Sequence, residues 1–179
     1  MKIALTNLGK YNEGELVYTW LELPFTEEEL EEAKSKIGIN ERYEEYFISD
    51  TEVEEDDYPC KVREYCDISD LNEKVKKYEE YDEYDKKIIR VIYNNVTSDI
   101  DEAMNIVDKG NYSYVSTDDY GNFLSDNEKA GYAFVEQVCG NVSELSKETI
   151  ENYFDYEAFG RDLLLDGGIS DEDIVLFIN

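Results

Sequence analysis

Carboxylates are the reactive groups this chain holds in quantity: 45 Asp and Glu among 179 residues, against 17 Lys and Arg and no His. The densest run, residues 41–58 (ERYEEYFISDTEVEEDDY), places Glu41, Glu44, Glu45, Asp50, Glu52, Glu54, Glu55, Asp56 and Asp57 around one base, Arg42. A pair of carboxylates can hydrolyse a glycosidic bond by acid–base catalysis. With so many acids, however, suitable spacings arise by chance and select no enzyme. The missing histidine removes the commonest general base and metal ligand and any nucleophile–histidine triad. Asp118-Asp119-Tyr120-Gly121 and Asp166-Gly167-Gly168 loosely resemble calcium loops. Neither has alternating ligands closed by a glutamate at the twelfth position, and turns built from Asp and Gly are the simpler reading. Cys60, Cys66 and Cys139 make a poor zinc set without histidine, and read as reduced, buried or half-buried thiols. No phosphate-cradling glycine loop, dinucleotide fingerprint or nucleophile elbow occurs. The expectation is a protein that is not an enzyme and uses neither cofactor nor metal.

What is left is the charge itself. A net charge of −28 far exceeds the magnitude of ~2–8 that keeps a small domain soluble. It repels nucleic acid and anionic membranes and attracts basic surfaces. Sixteen tyrosines would suit base stacking, but stacking on nucleic acid needs a cationic groove beside the rings. Duplex DNA carries one charge per ~1.7 Å of axis, so the net charge of this chain matches about 48 Å of duplex, and that of a dimer about 95 Å. A protein that grips phosphates with Lys and Arg would meet a substitute for DNA that needs no base-edge readout.

These acids must be positioned by folded elements. The chain is 41% hydrophobic and 13% aromatic, too apolar for a disordered acidic tail. Neither an export signal nor a membrane span is legible, which points to a cytoplasmic protein. Charge divides the chain in three. Residues 1–60 hold 17 acids and 5 bases, residues 61–109 hold 13 and 9, and residues 110–179 hold 15 and 3. We expect an acidic α+β N-terminal domain (1–60), a helical middle domain (61–109) and an acidic α+β C-terminal domain (110–179).

Within the first stretch, 2–7 and 15–23 read as strands with a glycine-turned loop at 9–14 between them. Thr26 and Glu29 form a capping box for a helix with an apolar stripe of Leu30, Ala33 and Ile37. Its outer face carries Glu27, Glu28, Glu31 and Glu32, and Gly38 closes it. A strand then runs through the acidic block, with Tyr46, Ile48, Asp50 and Glu52 on one face and Phe47, Ser49, Thr51 and Val53 on the other. In the middle, Asp70 and Glu73 suggest a second capping box, followed by Leu71, Val75, Tyr78 and Tyr81. Ile88, Ile89, Val91, Ile92 and Val96 mark a further helix. Ser98 caps another, with Ile100, Ala103, Met104 and Val107 inward and Gly110 at its end. The last third predicts a strand at 111–117, a turn at 118–122, a helix at 126–138 capped by Ser125 and Glu128 and ended by Gly140, helices at 146–153 and 155–165, and a strand at 174–178. On the 155–165 helix, Asp155, Asp162 and Asp166 fall on one line beside an inward face of Tyr156, Phe159 and Leu163.

Four blocks resemble the ArdA antirestriction proteins: LTNLGKYNEGELVYTWLELP (5–24), EEYFISDTE (44–52), DISDLNE (67–73) and DYEAFGRDL (155–163). The resemblance runs in the same order through most of the chain. It implies an elongated, dimeric α+β DNA mimic of three small domains, carried by a mobile genetic element such as a conjugative transposon or plasmid. Such a protein inhibits type I restriction–modification enzymes by occupying the DNA-binding groove of the methyltransferase core. Glu44, Glu45, Asp50 and Glu52 lie in the strand motif, and Asp155, Glu157 and Asp162 in the late helix motif. Together with Glu27, Glu28, Glu31, Glu54, Glu55, Asp56, Asp57 and Asp166 they make up the expected partner-binding acidic surface. Trp20, Leu21, Tyr46, Ile48, Tyr156 and Phe159 are expected in the core, and Arg161 is expected to pair with a neighbouring acid. The reading from another class is an acidic, carboxylate-dependent hydrolase; a milder one is a binding module for some other basic protein.

Overall fold

The computed structural model describes residues 1–53, 58–138 and 147–178. Glu54, Glu55, Asp56, Asp57, Cys139, the Gly140 helix end and the Ser146 helix start lie outside the described residues. Among the described residues the fold is α+β, with eight helices and two three-stranded antiparallel sheets. The chain forms two compact units, Met1–Asp82 and Glu83–Asn179.

The first unit is built on β1 (Lys2–Asn7), which lies between β2 (Tyr18–Glu22) and β3 (Tyr46–Glu52). Ile3, Ala4, Leu5, Thr6 and Asn7 are all buried, so this central strand is covered on both faces. The stretch expected as a loop contains a short helix, α1 (Leu8–Asn12). The Asn7 side chain caps it by accepting the Lys10 N–H at 2.9 Å, a local bond that glycine spacing does not announce.

The helix α2 (Glu27–Ile37) carries the expected capping box. The Thr26 hydroxyl accepts the Glu29 N–H at 3.3 Å, and the Glu29 carboxylate accepts the Thr26 N–H at 2.8 Å. Gly38 ends the helix at φ 79°, a left-handed conformation that costs glycine nothing. Leu30, Ala33 and Ile37 are buried. They face the side of the sheet that carries Ile3, Leu5 and Leu21, where the Asn7 amide donates to the Ile37 carbonyl at 3.1 Å.

The acidic strand departs from simple alternation. Leu5 pairs with Ile48 and Ala4 with Asp50, so Ser49 is an extra residue in a β-bulge. Tyr46 and Ile48 share the α2 side with Asn7 and Leu5, while Asp50 and Glu52 share the opposite face with Ala4 and Lys2. The predicted single face of Tyr46, Ile48, Asp50 and Glu52 is therefore split at Ser49, because one inserted residue reverses every side chain beyond it.

The helix α3 (Ile68–Glu79) belongs to this unit. The Asn72 amide brackets Phe25, accepting its N–H at 2.8 Å and donating to its carbonyl at 2.9 Å. The cap of α3 is Asp67, whose carboxylate accepts the Ser69 and Asp70 N–H groups. The expected box at Asp70 and Glu73 therefore starts three residues late.

The second unit opens with α4 (Glu83–Asn95) and α5 (Ile100–Asp108). Ile88, Ile89, Val91 and Ile92 are buried on α4, and Ile100, Ala103, Met104 and Val107 on α5, as their spacing predicts. Val96 lies past the end of α4 and is exposed. Asp99, one residue beyond the expected Ser98, caps α5. The sheet has the order β4 (Tyr112–Ser116), β6 (Ile174–Ile178), β5 (Ile169–Asp171). One face of it, with Val115 and Val175, packs on Ala130 and Ala133 of α6 (Asp126–Gln137). Ser125 and Glu128 cap α6 reciprocally, as expected. Two further helices follow, α7 (Lys147–Tyr153) and α8 (Tyr156–Leu165). The β5 strand is too short to read from sequence. It is held by a two-residue turn in which Glu172 and Asp173 take φ 45° and 60°.

Candidate acidic interface

In the first unit the expected acids occupy two opposite sides. Glu27, Glu28 and Glu31 are exposed on α2, whose buried stripe faces the sheet. Glu31 is joined to Lys34 at 2.7 Å, and Glu32 to Lys36 at 2.9 Å. These pairs offset the repulsion among neighbouring glutamates on one helix. The Lys34 ammonium also sits 5.6 Å from the Tyr46 ring. Its bond to Glu31 is the main reason its pKa is raised.

Asp50 and Glu52 stand on the other side. The Asp50 carboxylate accepts the Thr51 N–H at 2.8 Å, and Glu52 pairs with Lys2 at 3.3 Å. The bulge thus turns these two acids away from α2, so the α2 and β3 carboxylates do not form one patch. Glu44 and Glu45 are exposed at the entry to β3. They line a cleft of about 480 Å³ with Glu64, Tyr65 and Cys66. Cys60 and Cys66 are half-buried, and burial pushes the Cys66 thiol up. Glu54, Glu55, Asp56 and Asp57 fall outside the described residues.

In the second unit the acids follow α8. Asp155 caps it, accepting the Ala158 N–H at 2.9 Å. The Glu157 carboxylate accepts from the Ser125 hydroxyl and, at 2.8 Å, from the Asn127 amide. These two donors hold its carboxyl below the usual glutamate range, with the Ser125 bond the larger cause. Asp162 lies 3.4 Å from Arg161, the local pairing expected for that base. Asp166 follows the last turn as the C-cap. All four carboxylates are exposed. Tyr156 is buried, and Phe159 and Leu163 are half-buried, as their positions predict.

Two features escape sequence reasoning. Tyrosine hydroxyls hold further acids: Tyr43 donates to Glu13 at 2.8 Å and Tyr120 to Glu136 at 2.9 Å. A phenol orients a carboxylate without cancelling its charge. The Glu13 bond raises the Tyr43 pKa, while burial first and Glu136 second raise that of Tyr120. Residues 30 and 16 positions apart form these pairs, and nothing local signals them. Trp20 is the second feature. Leu21, Ile48 and Tyr156 are core residues as expected, but Trp20 is 43% exposed. It lies on an edge strand, on the face opposite α2.

Among the described residues no group of three Cys, Asp or Glu side chains is arranged to hold a metal ion, and no helix is long and apolar enough to cross a membrane. A comparison with curated proteins finds no match. The family model described as antirestriction protein (ArdA) matches residues 3–174. That span covers most of both units and every acid named above, and the chain belongs to the ArdA family of antirestriction proteins.

Proposed function

We propose that this protein, as a homodimer, inhibits type I restriction–modification enzymes in the cytoplasm by presenting carboxylates where those enzymes expect DNA phosphates. It performs no catalysis and binds neither DNA nor membrane. The carboxylates assigned to this role are Glu27, Glu28 and Glu31 on α2, Glu44, Glu45, Asp50 and Glu52 at β3, Asp155, Glu157, Asp162 and Asp166 at α8, and, by sequence, Glu54, Glu55, Asp56 and Asp57. One observation carries this reading: several of these charges are held at set positions by backbone or side-chain donors. Asp50 is held by the Thr51 N–H, Asp155 by the Ala158 N–H, and Glu157 by Ser125 and Asn127. Surplus charge kept for solubility needs no such anchoring. Membership in an antirestriction family supports the choice of target.

The decisive experiment is competition. The protein should displace duplex DNA from a purified type I methyltransferase and bind no DNA alone. Inhibition should weaken as salt rises, because exposed charges are screened over ~8–10 Å. Failure to displace DNA at low salt overturns the reading. Loss of all activity on neutralising one carboxylate, with the fold intact, would favour an acidic enzyme.

A further inference from the structure

We infer that the β2 side of the first sheet's face opposite α2, where Tyr18, Trp20 and Glu22 are exposed beside the buried Ala4 and Thr6, seats arginine side chains of the target protein. This rests on the reading above that the target is basic, and adds which chemistry is read and where. Three rows cross this face. Glu22, Lys2 and Glu52 form one, Trp20, Ala4 and Asp50 the next, and Tyr18, Thr6 and Phe47 the third. On β2 this sets Tyr18, Trp20 and Glu22 in file. Tyr18 is 49% exposed and Trp20 43%, and their rings meet edge to face at 6.4 Å. Large aromatics left half in water on a sheet face point to a contact surface.

The charge around them selects the occupant. Glu22, Asp50 and Glu52 are exposed, and Glu22 follows Trp20 by two residues, about 6.8 Å along the strand. The same face already holds one cation, Lys2, which pairs in register with both Glu22 and Glu52 and lies 3.3 Å from the Glu52 carboxylate. Elsewhere in this unit rings carry cations, with Lys34 over Tyr46 and Arg42 over Tyr43. Among the described residues no Lys or Arg lies over Tyr18 or Trp20. Arginine fits better than lysine, because a planar guanidinium stacks on an indole while its fork binds a carboxylate.

The chain has a single tryptophan, so its emission reports on this face directly. The test titrates the full chain at low salt with nona-arginine and with nona-lysine, and measures affinity by calorimetry and Trp20 emission in parallel. Nona-arginine should change the emission saturably, with the calorimetric midpoint. Trp20→Leu should weaken nona-arginine roughly three- to tenfold, the range of a partly desolvated cation–π contact, and nona-lysine less than twofold; Trp20→Phe should recover most of the loss. Nona-arginine binding that leaves the emission unmoved, or that Trp20→Leu does not weaken, overturns the inference and leaves the acidic-surface reading standing. Absence of any nona-arginine binding removes both. If Trp20→Leu does not fold, the emission of the unaltered protein decides.

Discussion

Gly131 of α6 and Gly160 of α8 meet backbone to backbone. A Cβ on Gly131 would strike the Tyr156 carbonyl, and one on Gly160 would strike the Asn127 carbonyl. Beside this crossing the Tyr132 and Tyr156 rings stack at 3.7 Å. The close approach also brings Asn127 and Ser125 of one helix against Glu157 of the other. A residue that weakens α6 as an isolated helix is what lets α8 and its acids be held.

Gly131→Ala and Gly160→Ala should each destabilise the protein. Alanine gains ~1 kcal/mol of helix propensity over glycine, but overpacking a tight crossing costs ~1–3 kcal/mol or more. Urea denaturation measures the difference. Stabilisation by either substitution would show that the helices do not need the close approach.

Arg90 on α4 clamps the β5–β6 turn. Its Nε donates to both Glu172 carboxylate oxygens at 3.0 Å, and a terminal nitrogen lies 3.0 Å from Oε2. The side chains are 12% and 28% exposed. Glu172→Gln should cost ~1–3 kcal/mol, as a charge-assisted bond does when partly buried. A double-mutant cycle with Arg90→Lys should give a coupling of at least ~0.5 kcal/mol; additive effects would remove the clamp.

The start of α3 can be located by mutation. Asp67→Ala should cost ~0.5–2 kcal/mol, the range for losing an N-cap. Asp70→Ala removes the 2.9 Å pair with Lys74 and should cost ~0.3–0.5 kcal/mol. The reverse order in thermal melts would restore the box predicted at Asp70.

Glu157 predicts a pH dependence. Its folded pKa is depressed below the ordinary 4.5. Its contribution to stability is therefore complete above pH 4.5 and is lost as pH falls through the lower folded value. Asn127→Ala removes one of the two donors and should raise the Glu157 pKa toward 4.5 in an NMR titration. It should also flatten the acid limb of the melting profile. An unchanged Glu157 titration would mean that the amide does not hold the charge.

Neutralising acids should act by accumulation. Asp50→Asn alone should lower inhibition less than about threefold, as expected when many exposed charges share the contact and each is worth under ~1 kcal/mol. Replacing Glu44, Glu45, Asp50 and Glu52 together by their amides should lower it severalfold more and flatten its salt dependence. Inhibition assays across a salt series check this, and a salt slope that ignores the four substitutions would argue for an apolar interface.

Much of the scaffold was legible locally. The Thr26–Glu29 and Ser125–Glu128 boxes are present, and the apolar positions of α2, α4 and α5 are buried as their periodicity predicts. Caps and periodicities are short-range, so the residues that produce them lie within one or two turns. The misses have two causes. The Ser49 bulge depends on pairing with β1, α1 on a cap from Asn7, and the exposure of Trp20 on β2 being an edge strand. The bulge and the edge exposure are set by strands distant in the chain, whereas the α1 cap, like the Asp67 and Asp99 caps, is a bond within three residues that spacing alone does not select.

From the sequence alone came the sign and excess of the charge, the α+β class, most helix limits and the antirestriction resemblance, because these depend on composition and on neighbours within a turn. The tertiary structure alone decided which side Asp50 and Glu52 face, which donors hold Glu157, and where two helices need glycine. Those are properties of contacts between segments, and one bulged residue or one missing side chain suffices to change them.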